Sequence, residues 1–343
     1  MSWEWSRSDL IALEEFLFAR GLCDGPVSVQ RIGDGHSNLT FLVTSHQESV
    51  VVRRGPPPPV PRGAHDMMRE AKLLAALSAT DVPVPRLLAV GQAGEVIDVP
   101  FYVMSYCPGL VLTTITPSPL DIPQERHRIG EALIDTLAAI HAVDWRAAGL
   151  ESIGRPDDFN RRHLHRMRRL ISDPGGELPP AFRAVESWLE ERIPLESGAS
   201  IVHNDFRLGN VILSADAPAR VLAVLDWELA TIGDPLFDLG CFLTSYPEQG
   251  EDLTPTMLLG SAQLEPGYPA RSELVERYAK LTGSDLSNLD WYRVLALWKL
   301  AVLYEYGRRR ADDGSGDSYY SDQALVDAFL SSAQRIIESE AFS

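Results

Sequence analysis

The sequence predicts an α+β chain in two parts, a small β-rich N-terminal lobe and a larger, mainly helical C-terminal lobe. Three observations lead there. The chain has 343 residues, more than one small core requires and about right for two lobes or domains. Short apolar runs separated by Gly, Pro and polar turn residues fill the first third, as strands joined by turns would. Beyond about residue 121 the apolar residues recur at helical intervals instead.

Taken in order, residues 1–26 centre on an amphipathic helix over Asp9 to Arg20. Leu10, Leu13, Phe16 and Leu17 share one side of it, and Gly21 ends it. Residues 27–107 form the expected N-terminal lobe, a β-sheet with one helix. Strands are predicted at Val27 to Val29, Leu39 to Val43, Val50 to Val52, Leu87 to Val90 and Pro100 to Tyr106. The run Gly55-Pro56-Pro57-Pro58-Pro59 must be a loop, since proline has no N–H to give to a helix or an inner strand. Met67 to Leu77 resumes helical spacing, and Pro108-Gly109 reads as a hinge. Residues 108–343 form the second lobe. Its helices are predicted over Glu125 to Val143, Asp158 to Leu170, Pro180 to Glu191, Glu273 to Leu281, Asp290 to Tyr306 and Asp322 to Glu338. A strand, a loop and two short strands interrupt them near residue 205.

Composition narrows the function classes. With 45% hydrophobic and 23% charged residues the chain has an ordinary globular balance. A net charge of −17 argues against general affinity for nucleic acid or an anionic membrane, which need clustered Lys and Arg. Cys23, Cys107 and Cys241 are odd in number and widely spaced, which suits a reducing cytoplasm without disulfides or a zinc site. The start, Met1-Ser2-Trp3-Glu4-Trp5, lacks the basic-then-apolar order of a secretion signal. No apolar run reaches the roughly 20 residues a bilayer span needs. A soluble, cytoplasmic protein is expected.

The most specific feature is His203-Asn204-Asp205-Phe206-Arg207-Leu208-Gly209-Asn210, followed sixteen residues later by Asp226. It spells H-x-D-x-x-x-x-N, the catalytic-loop spacing of phosphoryl transfer. In that chemistry an Asp orients and deprotonates the acceptor hydroxyl, a contribution of about 10²–10⁴-fold. Asp205 is the candidate base, and His203 orients the loop through hydrogen bonds. Asn210 and Asp226 are hard oxygen ligands suited to Mg²⁺, and Asp226 ends the apolar run Val221 to Leu225, which can carry it to the lip of a cleft. Any one of these residues alone reads as a polar turn residue; their joint spacing between apolar strands makes the chemical reading the better one.

Donor phosphates also need a cation. Arg53 closes the strand Val50 to Val52, Glu70 on the next helix can fix its direction, and Arg54 competes for the role. Gly33-Asp34-Gly35-His36-Ser37-Asn38 joins two strands and can lay backbone N–H groups, with Ser37 and Asn38, over phosphates. An ordinary hairpin turn is an equal reading of it. The segment Pro100 to Cys107, with Met104 and Tyr106, offers a flat apolar slot and backbone hydrogen bonds for an adenine ring.

These pieces, in this order, resemble the aminoglycoside phosphotransferase (APH) family, and most closely its branch that also occurs fused to acyl-CoA dehydrogenases. The matching residues are Val50 to Arg53, Arg69-Glu70, Pro100 to Tyr106 with Pro108-Gly109, His203 to Asn210, Leu225 to Glu228 and Gly233 to Leu239. The resemblance implies a bilobal protein-kinase-like fold and ATP- and Mg²⁺-dependent phosphorylation of a small-molecule hydroxyl. It makes Asp205 the base, Asn210 and Asp226 the Mg²⁺ ligands, and Asp238 a buried brace for the catalytic loop. Two departures stand out. Many relatives carry Lys where Arg53 stands, and a planar, permanently charged guanidinium is not a neutral replacement. The glycine-rich turn is irregular, with Asn38 at its last glycine position.

A different class, a catalytically weak kinase-like module that binds a nucleotide or a partner, is the alternative. A pure binding module has no chemical need for a base, so His203, Asp205, Asn210 and Asp226 together favour the enzyme. The basic run Arg161 to Arg169 reads as the solvated face of a helix, with attraction of an acidic acceptor as the other reading. Trp291, Trp298, Tyr304 and Tyr306 fall at helical spacing and are expected in the core. His141 is expected to cap or pack a helix end.

Overall fold

The computed structural model of the chain describes residues 5–33, 38–46, 48–56 and 66–341. These belong to two compact units, Met1–Pro108 with Leu222–Glu228, and Gly109–Val221 with Leu229–Ser343. The chain therefore leaves the first unit after Pro108 and returns to it for one short segment.

In the first unit, helix α1 (Arg7–Phe18) opens on a capping box. The Ser6 hydroxyl accepts from the Asp9 N–H, and the Asp9 carboxylate accepts from the Ser6 N–H. Strands β1 (Ser28–Ile32), β2 (Leu39–Thr44) and β3 (Ser49–Arg54) follow, then α2 (Met67–Leu77), β4 (Leu87–Gly91) and β5 (Phe101–Ser105). They form one antiparallel sheet in the order β1-β2-β3-β5-β4. β1 continues past the expected Val29 because its pairing with β2 extends to Ile32 opposite Thr40. Strand alternation gives the sheet two different faces. Val43, Val50, Val52, Phe101 and Val103 pack against Leu13, Phe16 and Leu17 of α1. Each of these buried side chains contributes about 1.5–3 kcal/mol. Val51, Arg53, Tyr102 and Met104 belong to the other face, where Val51 pairs with Met104 and Arg53 with Tyr102. Asp66 starts α2 by accepting from the Arg69 N–H. The expected turn residues Asp34 to Ser37, and Pro57 to Pro59 of the proline loop, lie outside the described residues.

The second unit contains α3 (Pro123–Ala142), α4 (Phe159–Ile171), α5 (Pro180–Glu191), β6 (Ser200–Val202) and β7 (Val211–Leu213). β8 (Val221–Val224) begins where the chain returns to the first unit. Then come β9 (Thr231–Gly233), α6 (Pro235–Ser245), α7 (Pro255–Leu258), α8 (Arg271–Thr282), α9 (Leu289–Asp312) and α10 (Gln323–Ala341). β6 pairs antiparallel with β9, Ser200 opposite Gly233. α9 is the axis of this unit, in contact with α4, α5, α6 and α10. Trp291, Leu295, Trp298 and Val302 are buried along it. The expected core role fits Trp291 and Trp298; Tyr304 is only half-buried and Tyr306 is exposed, because α9 emerges from its neighbours near that end. α9 runs to Asp312 rather than stopping at Tyr306, since Arg308 and Arg309 both reach back to Glu305, at 2.7 and 2.8 Å.

α6 was not expected from periodicity. Leu236, Phe237, Leu239, Phe242 and Leu243 are all buried, so the helix has no polar face to produce a pattern. Its start is nonetheless well marked: Asp234 accepts from the Leu236 N–H at 3.0 Å and Pro235 follows. Gly240 lets α6 approach α9 closely. A Cβ there would lie 2.8 Å from the carbonyl of Tyr292. The three cysteines are free thiols. Among the described residues no helix is long and apolar enough to cross a membrane.

Candidate active site

The H-x-D-x-x-x-x-N segment lies wholly in the second unit, between β6 and β7. After Val202 the backbone turns through Asn204, whose φ of 68° is left-handed. Asn tolerates that region better than most residues, yet such turns persist only where their surroundings hold them. Asp238 on α6 supplies the hold. Its carboxylate accepts from the His203 N–H at 2.6 Å and the Asn204 N–H at 2.7 Å. Lys299 on α9 donates to the Asn204 carbonyl at 2.6 Å, and the Asn204 side chain donates to the Leu229 carbonyl at 2.8 Å. The peptide ahead of Asp205 is thus gripped from α6 and α9 together.

Asp238 is fully buried. Burial alone would raise its carboxyl, but the hydrogen bond and charge of His141, with His203, outweigh that and hold it below the usual carboxylate range. His141 is more than the packing residue expected from its helix-end position. Its Nε2 lies 3.4 Å from Asp238 Oδ2 and its Nδ1 lies 2.6 Å from the Tyr278 hydroxyl. Cys241, on the same helix as Asp238, has its thiol pushed up to about 12 by burial, with the nearby Lys299 opposing.

His203, buried at 0% exposure, accepts the Asp205 N–H on Nδ1 at 3.3 Å. The Asp205 side chain is 36% exposed, with Arg207 Nε 3.5 Å from its Oδ2. A turn of 3-10 helix, Leu208–Asn210, brings the chain back. There Asn210 Nδ2 donates to both the Asp205 carbonyl and Asp205 Oδ2, each at 2.8 Å. Both hydrogens of that amide nitrogen are thus spent on Asp205, which ties the end of the loop to its middle.

Asp226 belongs to the first unit, where it joins Arg53 and Glu70. Arg53 Nη2 is 2.5 Å from Asp226 Oδ1, its Nε is 3.2 Å from Glu70 Oε2, and Glu228 Oε2 lies 3.9 Å away. One guanidinium thus serves three carboxylates. Burial alone would lower Arg53, but Glu70, Tyr102, Asp226 and Glu228 more than compensate and it stays charged. Burial pushes the Glu70 carboxyl up, against the pull of Arg53. Asp226, like Asn204, has a left-handed backbone, with φ 64°. Arg54 faces the other way, over the rings of Trp5 and Phe41 at 5.4 and 5.5 Å. Strand alternation therefore separates the two candidate arginines. Asn38 donates to Glu228 Oε2 at 2.5 Å, while Ser37 lies outside the described residues. Met104 is buried on β5 and Tyr106, beyond the strand, is exposed.

Lys299, Asn204, Glu228 and Tyr102 are members of these clusters beyond the expected ones. Lys299 left no signal, being one cation on an apolar helix. Glu228 and Asn204 lie inside quoted motifs, where a polar residue at a turn has too many bland explanations. Tyr102 lies two residues before Met104 on the same strand face, so alternation was the clue available.

Oxygen donors of this kind suit Mg²⁺. Among the described residues no group of three His, Cys, Asp or Glu is placed to hold a metal ion.

Comparison with known proteins gives the family and the fold. The profile of the phosphotransferase enzyme family (APH) matches residues 28–274. Acyl-CoA dehydrogenase family member 10 of Mus musculus is 30% identical over 320 residues, covering 91% of this chain and 29% of its own length. Acyl-CoA dehydrogenase family member 11 of Homo sapiens is 30% identical over 304 residues, covering 87% and 38% respectively. The chain therefore spans less than half the length of these curated relatives. Among solved structures, a candidate aminoglycoside phosphotransferase from Ralstonia eutropha is 30% identical, with a TM-score of 0.77 over 95% of this chain and 98% of that one. Aminoglycoside phosphotransferase APH(4)-Ia, in ternary complex with AMP-PNP and hygromycin B, shares the fold at 19% identity and TM-score 0.61, over 95% of this chain and 98% of that one. The α+β, protein-kinase-like fold expected from the resemblance is the observed one, as is the kinship with the branch found in acyl-CoA dehydrogenase family proteins. The chain belongs to the phosphotransferase enzyme family.

Proposed function

We propose that the chain is an ATP- and Mg²⁺-dependent phosphotransferase that phosphorylates a hydroxyl of a small molecule, with Asp205 as the base. The observation that supports this most directly is the pairing of Asp205 with Asn210. The Asn210 amide nitrogen fixes the Asp205 carboxylate at 2.8 Å, and the carboxylate keeps an exposed edge for an acceptor. Bound Mg·ATP supplies the transferable phosphoryl group and neutralises its charge. Asp205 takes the proton of the acceptor hydroxyl as that oxygen attacks. His203 holds the Asp205 backbone, and Asn210 and Asp226 offer oxygens to the metal. Arg53, oriented by Glu70, balances negative charge on the donor side, with Asn38 and Ser37 before β2, and Met104 and Tyr106 near the end of β5, assigned to nucleotide contact. Three free thiols favour a reducing compartment, the cytoplasm.

A second reading, a catalytically weak kinase-like module that binds a nucleotide or a partner, is favoured by one observation. Arg53 lies 2.5 Å from Asp226, a contact a metal ligand must share or release. One experiment separates the two. Mg·ATP is expected to raise the melting temperature, and a screen of alcohols, amino sugars and hydroxy acids to reveal a product heavier by one phosphoryl group. Asp205→Asn should lower product formation by about 10²–10⁴-fold and keep the Mg·ATP stabilisation. Stabilisation with no product from any acceptor favours the binding module, and turnover undiminished in Asp205→Asn removes Asp205 from the base role.

A further inference from the structure

The start of α4, Arg155 just before it, and β9 enclose a cavity of about 80 Å³. Arg155, Arg162, Arg166, His163, Phe159 and Thr231 line it, and no carboxylate does. Two further arginines of this helix pair with acids. Arg168 lies 2.6 Å from Glu186, and Arg161 lies 3.8 Å from Glu190. Arg162 instead gives its donors to two backbone carbonyls, those of Asp157 at 2.8 Å and Arg155. Among the described residues neither Arg155 nor Arg162 has a carboxylate partner. The basic run therefore divides: part of it is a solvated, charge-paired face, and part of it surrounds an opening.

His163 adds a directional donor. It is 4% exposed, with its ring 4.5 Å from that of Phe237. Its Nδ1 lies 3.2 Å from Arg166 Nη2, and a guanidinium only donates, so Nδ1 is the unprotonated nitrogen. Burial, then the charges of Arg166, Lys299 and Arg162, keep the imidazole neutral. The ring proton accordingly sits on Nε2, which is buried without a hydrogen-bond partner among the described residues. Native interiors rarely leave such a donor unmatched. Three guanidinium groups and a spare N–H, lining a cavity that no carboxylate lines, call for one kind of guest. It must be anionic, accept several hydrogen bonds and be small, since whole-ligand pockets usually measure about 300–1,000 Å³.

We propose that this cavity is an oxyanion-binding site, holding a phosphoryl or carboxylate group between Arg155, Arg162 and Arg166 and the Nε2–H of His163. Guanidinium forks match either group bidentately. None of these residues has a part in the transfer chemistry proposed above, so the site stands independently of it. The oxyanion is either free in solution or the charged end of a larger hydroxylated molecule.

Inorganic phosphate titrated into the full chain at constant ionic strength tests the site by calorimetry. Saturable binding is expected, at least about tenfold weaker in the double variant Arg155→Ala/Arg166→Ala, a change of about 1.4 kcal/mol. Arg169→Ala on the exposed side of α4 should match the parent. In the unaltered chain, phosphate should also move the Nε2–H proton resonance of His163, assigned by its loss in His163→Phe. Glycerol 3-phosphate and 3-hydroxybutyrate, set against neutral glycerol and butane-1,3-diol, separate the two sources. Tighter binding of the hydroxylated anions than of phosphate, lost in the double variant, identifies the charged end of a larger molecule. Phosphate as the tightest ligand identifies a free oxyanion. No saturable binding of any of the three anions, or equal affinity in the parent and the double variant, overturns the proposal.

Discussion

Two side chains show how single groups govern these clusters. Arg53 is the sole cation within ion-pair reach of Glu70 among the described residues, and Glu70 is almost wholly buried. Removing Arg53 strands a carboxylate in a low-dielectric setting, a loss of about 3–5 kcal/mol. Arg53→Met should therefore lower the melting temperature sharply, and adding Glu70→Gln should restore much of it. Thermal unfolding of the two single variants and the double variant measures this; an additive double variant would show that the pair is not coupled. Lys299 acts through the backbone. Its ammonium holds the Asn204 carbonyl at 2.6 Å, next to Asp205. Lys299→Met should cost about 1.5–3 kcal/mol of stability. Under the proposed reaction it should lower kcat while leaving the affinity for Mg·ATP near that of the parent, which separate turnover and nucleotide-titration measurements resolve.

At the scale of elements, the catalytic segment depends on where α6 meets α9. Asp238 reaches the loop from one helix and Lys299 from the other, so their spacing sets the strain the Asn204 turn can hold. Gly240 sets that spacing, since a Cβ would meet the Tyr292 carbonyl at 2.8 Å. Gly240→Ala should destabilise by about 1–3 kcal/mol through overpacking, despite the better helix propensity of alanine. A denaturant midpoint equal to or above the parent's would mean that α6 and α9 adjust without strain. The same buried contact explains why α6 escaped the periodicity argument. Asp234 caps its start and Pro235 follows, but its body is buried on nearly every side, polar residues such as Asp238 included.

Across the whole molecule, stability should follow the ionisation of its buried carboxylates. Asp238 titrates below the usual carboxylate range when folded, because the hydrogen bonds and charge around it overcome burial. Its contribution is complete above the unfolded value, about 3.9, and is lost as pH falls through the lower folded value. Glu305 shifts in the same direction, where Arg308 and Arg309 prevail over burial. Glu70 shifts the other way, so its contribution diminishes as pH rises through its raised folded value. The stability gap between the parent and Asp238→Asn should therefore be widest near neutrality, at about 3 kcal/mol for lost charged hydrogen bonds. It should narrow below about pH 4. Urea midpoints between acid and neutral pH test this, and a gap that stays constant would assign the stabilisation to shape rather than charge.

The amino-acid sequence by itself determined the elements whose signals are local. Alternating valines at 50–52 and the apolar spacing of Met67 to Leu77 depend only on period and composition, and both elements lie where those signals put them. The H-x-D-x-x-x-x-N spacing is local as well, since Asn210 turns back onto Asp205 within a single loop. Tertiary structure alone decided which distant groups meet. Asp238 beneath the loop from α6, Lys299 from α9, His141 behind Asp238, and Arg53 rather than Arg54 beside Glu70 are contacts between residues far apart in the chain. The physical reason is range: dihedral preferences and side-chain periodicity act over a few residues, whereas burial and charge pairing act between whatever the packed helices and strands bring into reach.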